Sequence, residues 1–153
     1  MAWSASKIFL AFIEDCLENT SANDLDTDTH KIALYDNDIT PDQTVATANT
    51  IYNAGQWTAA GNEVSDGTEW DAGGEPLTGV SSSFASNVYT FDATNTPSGG
   101  SSATLANVFG GLVYDDTTAD HGICYLYFGG TNSVTDGTFT VIYHASGIFT
   151  LTL

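Results

Sequence analysis

At 153 residues the chain has the length of one domain, and it can bury about two-thirds of its unfolded surface in a single core. Hydrophobic residues make up 42% and aromatics 12%, which excludes a disordered chain. The 19 Asp and Glu stand against only Lys7 and Lys31, giving a formal charge of −17; no basic footprint for nucleic acid or an anionic membrane can be built from that.

In chain order, the first element is "SASKIFLAFIEDCLENT", residues 4–20, where Ile8, Phe9, Phe12, Ile13, Cys16 and Leu17 recur at three- and four-residue steps. The spacing predicts a helix with one apolar stripe, capped by Ser4 or Ser6. Its apolar run "IFLAFI", residues 8–13, is too short to span a membrane, and the acids after it do not resemble a leader's cleavage site. Residues 1–22 are therefore expected to form an N-terminal helix or arm, and residues 23–153 a β domain. The helix either tethers the chain to a partner or caps one end of that domain.

Beyond residue 30 the period changes to two. Strands are predicted over residues 31–37, 86–93, 103–116, 122–130, 138–145 and 147–153. Turn chemistry separates them at Pro97-Ser-Gly-Gly, Gly129-Gly130, Asp136-Gly137 and Ser146-Gly147, and Gly110-Gly111 suggests a bulge. Short strands at this spacing predict a mainly β chain, a single-domain antiparallel β-sandwich or jelly roll. In "ICYLYF", residues 123–128, both faces are apolar, the mark of a central strand covered on both sides by the chain's own helix or by a neighbouring subunit. Cys16 and Cys124 lack metal or redox spacing and sit in apolar settings, so two buried free thiols are expected, made in a reducing cytoplasm.

The candidate chemistry is sparse. Asp24, Asp26 and Asp28 alternate as in a calcium loop, but Thr29 stands where glycine is required and Tyr35 where glutamate is. The histidines (30, 121 and 144) are scattered, and no nucleophile-elbow, zinc-protease or phosphate-loop motif occurs. The stretch "GNEVSDGTEWDAGGEPLTG", residues 61–79, is the densest in functional groups, with Glu63, Asp66, Glu69, Asp71 and Glu75 around Trp70. It reads as a wide connection made of turns, or as a sugar site with Trp70 as stacking platform. No catalytic residue, metal site or cofactor is nominated, and a non-enzyme is expected.

The order "KIALYDN … YNAGQW … NEVSDGTEWDAGGEPLTGV … FGGLVYDD … LYFGG … VTDGTFTVIYHASGIFTLTL" resembles a family of small virion structural proteins of tailed bacteriophages. The resemblance runs over about residues 7–153 and is most specific in the central and C-terminal segments. It departs at Glu69-Trp70, where "GY" is usual, and in the near loss of basic residues. It implies a head decoration (cement) protein on the outer capsid surface, bound to the major capsid protein and assembled as a homotrimer. A minor tail or fibre protein, or a glycan-binding module using Trp57 or Trp70, are the alternatives. On that reading the partner interface is expected to use Ile8, Phe9, Phe12, Ile13, Trp57 and Trp70.

Overall fold

The structure is a computed structural model, and it describes residues 3–153. It is mainly β, with antiparallel sheets and one short helix. The strands are β1 (Lys7–Ile8), β2 (His30–Tyr35), β3 (Glu75–Pro76), β4 (Thr78–Ala85), β5 (Val88–Thr94), β6 (Thr96–Pro97), β7 (Ala103–Asp115), β8 (His121–Gly137), β9 (Thr140–Val141) and β10 (Phe149–Thr152). The helix α1 covers Leu10–Glu18. A five-stranded sheet runs β1-β8-β7-β2-β3, a three-stranded sheet runs β10-β5-β4, and β6 pairs with β9. No helix among the described residues is long and apolar enough to cross a membrane.

The N-terminus departs from its expected helix and arm. Residues Lys7 and Ile8 pair with Tyr125 and Cys124 as an edge strand, so the helix begins only at Leu10. Ser6 does not cap it; its hydroxyl accepts the Tyr127 N–H at 2.9 Å. Phe9 stands at the N-cap without a side-chain bond, and its own N–H donates to the Ile123 carbonyl at 3.1 Å. Trp3 is buried, and its indole N–H donates to the Asp36 carbonyl at 2.8 Å. Extended chain that can satisfy its backbone on a sheet edge and sink a tryptophan has no reason to coil. Trp3, Phe9, Ala11 and Phe12 thus pack into the same core as the rest.

Both faces of the large sheet are covered, as the apolar "ICYLYF" strand requires. On one face Tyr125 meets Trp3, Phe9 and Trp57, and Tyr35 meets Trp57. That cover is residues 3–9 together with the long connection between β2 and β3. On the other face His30 packs its ring against Phe91 of β5, and Phe12 of α1 packs against Phe149 of β10. Gly110 is a site of close approach on the first face, where a Cβ would run into the Trp3 ring and the Leu126 carbonyl. The bulge expected at Gly110-Gly111 falls mainly on the opposite strand: Val108 faces Asn132 while Gly110 faces Tyr127, so Phe128–Thr131 loop out of β8.

β4 has no counterpart in the sequence reading. Its residues, "TGVSSSFA", show no apolar alternation, because it is an edge strand exposed over most of its length. Pairing with β5 forms it, through a two-residue turn in which Ser86 and Asn87 both take positive φ. The strand predicted over residues 138–145 shrinks to Thr140–Val141.

Candidate docking surface

Four of the five carboxylates in residues 61–79 are spent on N–H and hydroxyl groups of the chain itself. Asp66 Oδ1 accepts the N–H groups of Thr68, Glu69 and Trp70 at 3.0, 2.8 and 2.9 Å, and its Oδ2 accepts that of Thr104 at 3.0 Å. Glu63 accepts the Tyr52 hydroxyl at 2.9 Å and the Gly73 N–H at 2.7 Å. Glu69 accepts the Ser102 hydroxyl at 2.9 Å, and Glu75 the Asp71 N–H at 3.1 Å. Trp70 is fully buried, edge-on to Phe139 with ring centroids 5.8 Å apart. The segment is scaffold: a turn-rich loop needs acceptors for N–H groups that no strand partner satisfies, and the acids supply them.

These four N–H donors hold the Asp66 carboxyl well below its ordinary range, the Trp70 and Glu69 bonds contributing most. The contribution is present above the unfolded-state value and is lost as pH falls below about 4. Asp66→Ala is expected to lower the unfolding free energy by about 1–2 kcal/mol at neutral pH, a figure moderated by the site's partial exposure. Asp66→Asn keeps Oδ1 and should lose less. Urea unfolding at pH 7 and pH 3 checks both, the gap between wild type and alanine narrowing at the lower pH.

The loop of residues 24–28 is also internally satisfied. Asp24 Oδ1 accepts the Asp26 and Thr27 N–H groups at 3.0 and 3.3 Å, and Asp26 Oδ1 accepts the Ser82 hydroxyl at 2.6 Å. Among the described residues no group of three or more His, Cys, Asp or Glu side chains is arranged to hold a metal ion. Beneath the loop, Asp115 is fully buried: its Oδ1 accepts the Thr117 and Thr118 N–H groups at 2.9 Å each, while Oδ2 has no partner. Burial pushes its pKa up, and the neighbouring Asp28 carboxyl pushes the same way. His30, opposite it in register, is buried with both ring nitrogens unpartnered, and desolvation pushes its pKa down.

A raised folded-state pKa at Asp115 means a contribution present below the unfolded value and lost as pH rises through the folded one. Asparagine keeps the Oδ1 acceptor, removes the buried charge and can donate to Asp28. Asp115→Asn is therefore expected to raise stability by about 1 kcal/mol at pH 7 and to change it little at pH 4. Thermal unfolding across that interval reads the difference.

The thiols differ from each other. Both are free, but only Cys124 is buried, where desolvation pushes its pKa up; Cys16 is exposed, on the side of α1 that lines the large cleft between this helix and the three-stranded sheet. A nine-residue helix on the rim of the core covers one side only.

The surface feature that stands apart is apolar. Among the described residues five large hydrophobic side chains are exposed, Leu10, Leu17, Phe84, Ile142 and Leu153, and all five line one chain of adjoining clefts. The largest, of about 480 Å³, opens between α1 and the three-stranded sheet, with Leu17, Phe84, Tyr89, Leu151 and Leu153 in its walls. A second, of about 440 Å³, shares Ile13, Phe149 and Leu151 with it and continues past Leu10 to Leu126. The trough then runs along β8 to Ile142. On a chain of charge −17 an apolar strip of this kind is a candidate docking surface.

The six residues expected at a partner interface are placed differently from one another. Phe9, Trp57 and Trp70 are core side chains and present no surface, a correction to the sequence reading, whereas Phe12 is buried but lines the large cleft. Ile8 and Ile13 are partly buried and line the trough. Leu10, Leu17, Phe84, Ile142 and Leu153 were missed. Leu10 and Leu17 lie on the predicted helix, and Ile142 and Leu153 on predicted strands whose exposed face the sequence does not mark; Phe84 is a single apolar residue in a polar stretch. Comparison with family models, curated proteins and solved structures finds no match.

Proposed function

We propose that this chain is a non-enzymatic virion structural protein of a tailed bacteriophage, decorating the outside of the head and cementing it by binding the major capsid protein. The observation that carries the reading is the trough, where the five exposed large apolar side chains of the described residues line adjoining clefts on an otherwise acidic molecule. Such a protein stays soluble alone through self-repulsion and buries its apolar strip on the shell. Repetition by capsid symmetry multiplies weak contacts into resistance to internal pressure. The resemblance over residues 7–153 supports the same reading and extends it to a homotrimer. The two packed antiparallel sheets fit a β-sandwich of jelly-roll type.

A minor tail or fibre role uses the same surface and differs in copy number. The glycan-binding alternative loses its support, since Trp57 and Trp70 are both buried. The experiment mixes purified protein with undecorated expanded heads and counts bound copies by sedimentation and densitometry. Saturation near the number of major capsid subunits is expected. Failure to bind heads, with recovery from tails, would transfer the protein to the tail.

A further inference from the structure

The large cleft is an unfinished part of the core. In the three-stranded sheet, the cross-strand row Ser82–Phe91–Phe149 is closed over: Phe91 is fully buried, and Phe149 nearly so. The next row on the same face is Phe84–Tyr89–Leu151, and it lacks a cover; Phe84 is 60% exposed. Helix α1 behaves in the same way. Phe12 packs on Phe149, but Leu17, farther along, is 82% exposed. Leu153 continues the β10 side of the cleft at 83% exposure. Sheet and helix therefore diverge, and both present inward-type apolar side chains to an open space.

We propose that this cleft is filled by an apolar segment of another protein flanked by lysine or arginine. The charges around the opening decide the occupant. Asp24 and Asp26 line it, and no basic residue lies in its walls. Asp24 is held firmly ionised by its backbone bonds. A second copy brings the same acids and very few cations: Lys31 is already 3.0 Å from Asp116, Lys7 lies in the neighbouring cleft, and the chain has no arginine. Face-to-face copies would set acid against acid, whereas a basic-flanked apolar segment matches both floor and rim. The identification of that partner with a capsid subunit rests on the reading above; the chemistry of the cleft does not.

The test uses the full chain and two synthetic peptides of equal length, one alternating leucine and lysine, the other serine and lysine, titrated at physiological salt. The leucine–lysine peptide should saturate at one per chain. Its affinity should fall about tenfold or more in Leu17→Ser/Phe84→Ser/Leu153→Ser, whose changes lie at exposed positions and leave the core intact. Ile142→Ser, at the far end of the trough, should bind as the wild type does. Equal binding by the triple variant, or by the serine–lysine peptide, overturns the proposal. So does a wild-type oligomer, seen in sedimentation equilibrium, that the triple variant loses, because a second copy would then fill the cleft. Head binding by the wild type, measured separately, tests the cement reading alone.

Discussion

Trp57→Ala is expected to lower the unfolding free energy by about 3–5 kcal/mol, while Trp57→Phe should cost only about 1 kcal/mol. Trp57 closes the 3-10 turn Gly55–Trp57 and is fully buried. Four aromatic rings surround it, with centroids 5.1 Å away for Tyr35, 5.8 Å for Trp3, 5.9 Å for Tyr125 and 6.0 Å for Phe9. These come from β2, β8, the N-terminal segment and the residue before α1, so a hole there touches every element on that side of the large sheet. The rings are anchored on strands and cannot collapse fully into the space, which places the loss at the upper end for a buried aromatic.

Phenylalanine separates volume from hydrogen bonding. The Trp57 indole N–H is buried without a partner, so its removal relieves an unpaired donor and offsets part of the lost contact. The bond from the Tyr35 hydroxyl goes to the Trp57 carbonyl at 2.7 Å and survives either substitution. Urea unfolding of the three proteins measures both steps. A loss below 1 kcal/mol for alanine would mean that this cluster is not the core. The same burial predicts that added oligosaccharides leave the intrinsic tryptophan fluorescence unchanged.

What the sequence made legible is what depends on neighbours along the chain. Period-two alternation reflects alternate residues pointing to opposite faces, and it survives in the first part of β7, the second half of β8 and β10. The doubly apolar "ICYLYF" strand announced that both sides of β8 are covered. What covers it was not legible, because one cover is a loop whose anchor, Trp57, sits in a polar stretch, and the other is a second sheet. Trp70 misled for the same reason: beside five carboxylates it looks like a solvent-facing platform, and Phe139, which buries its edge, lies far along the chain. The acids themselves looked available for ligands because sequence does not reveal which N–H groups will lack strand partners. Leu17, Phe84, Ile142 and Leu153 are unremarkable singly; only the pairing of β4, β5 and β10 beneath α1 makes three of them one surface.

Gly74→Ala is expected to cost about 3 kcal/mol or more, for two reasons that add. Gly74 has φ +81, a conformation that strains any L side chain by about 1–2 kcal/mol. A Cβ there would also run into the backbone of β2, meeting the Ile32 carbonyl and lying 2.6 Å from the Ala33 Cα. Backbone inside a paired strand cannot turn away as a flexible side chain does, so relief requires the loop to lift off, and overpacking of this kind costs about 1–3 kcal/mol. Lifting the loop would break the β2–β3 pairing of Ile32 with Glu75 and Lys31 with Pro76. It would also pull Gly73 from its bonds, where its carbonyl accepts the Tyr114 hydroxyl at 2.7 Å and its N–H donates to Glu63 at 2.7 Å. Gly67→Ala is the control: its φ is +71, but nothing lies within 4 Å of its Cβ position, so only the conformational part should appear. Chemical denaturation of the two variants then separates strain from collision. Equal losses would place the whole effect in φ and remove the close approach of residues 61–79 to β2 as a determinant of the fold.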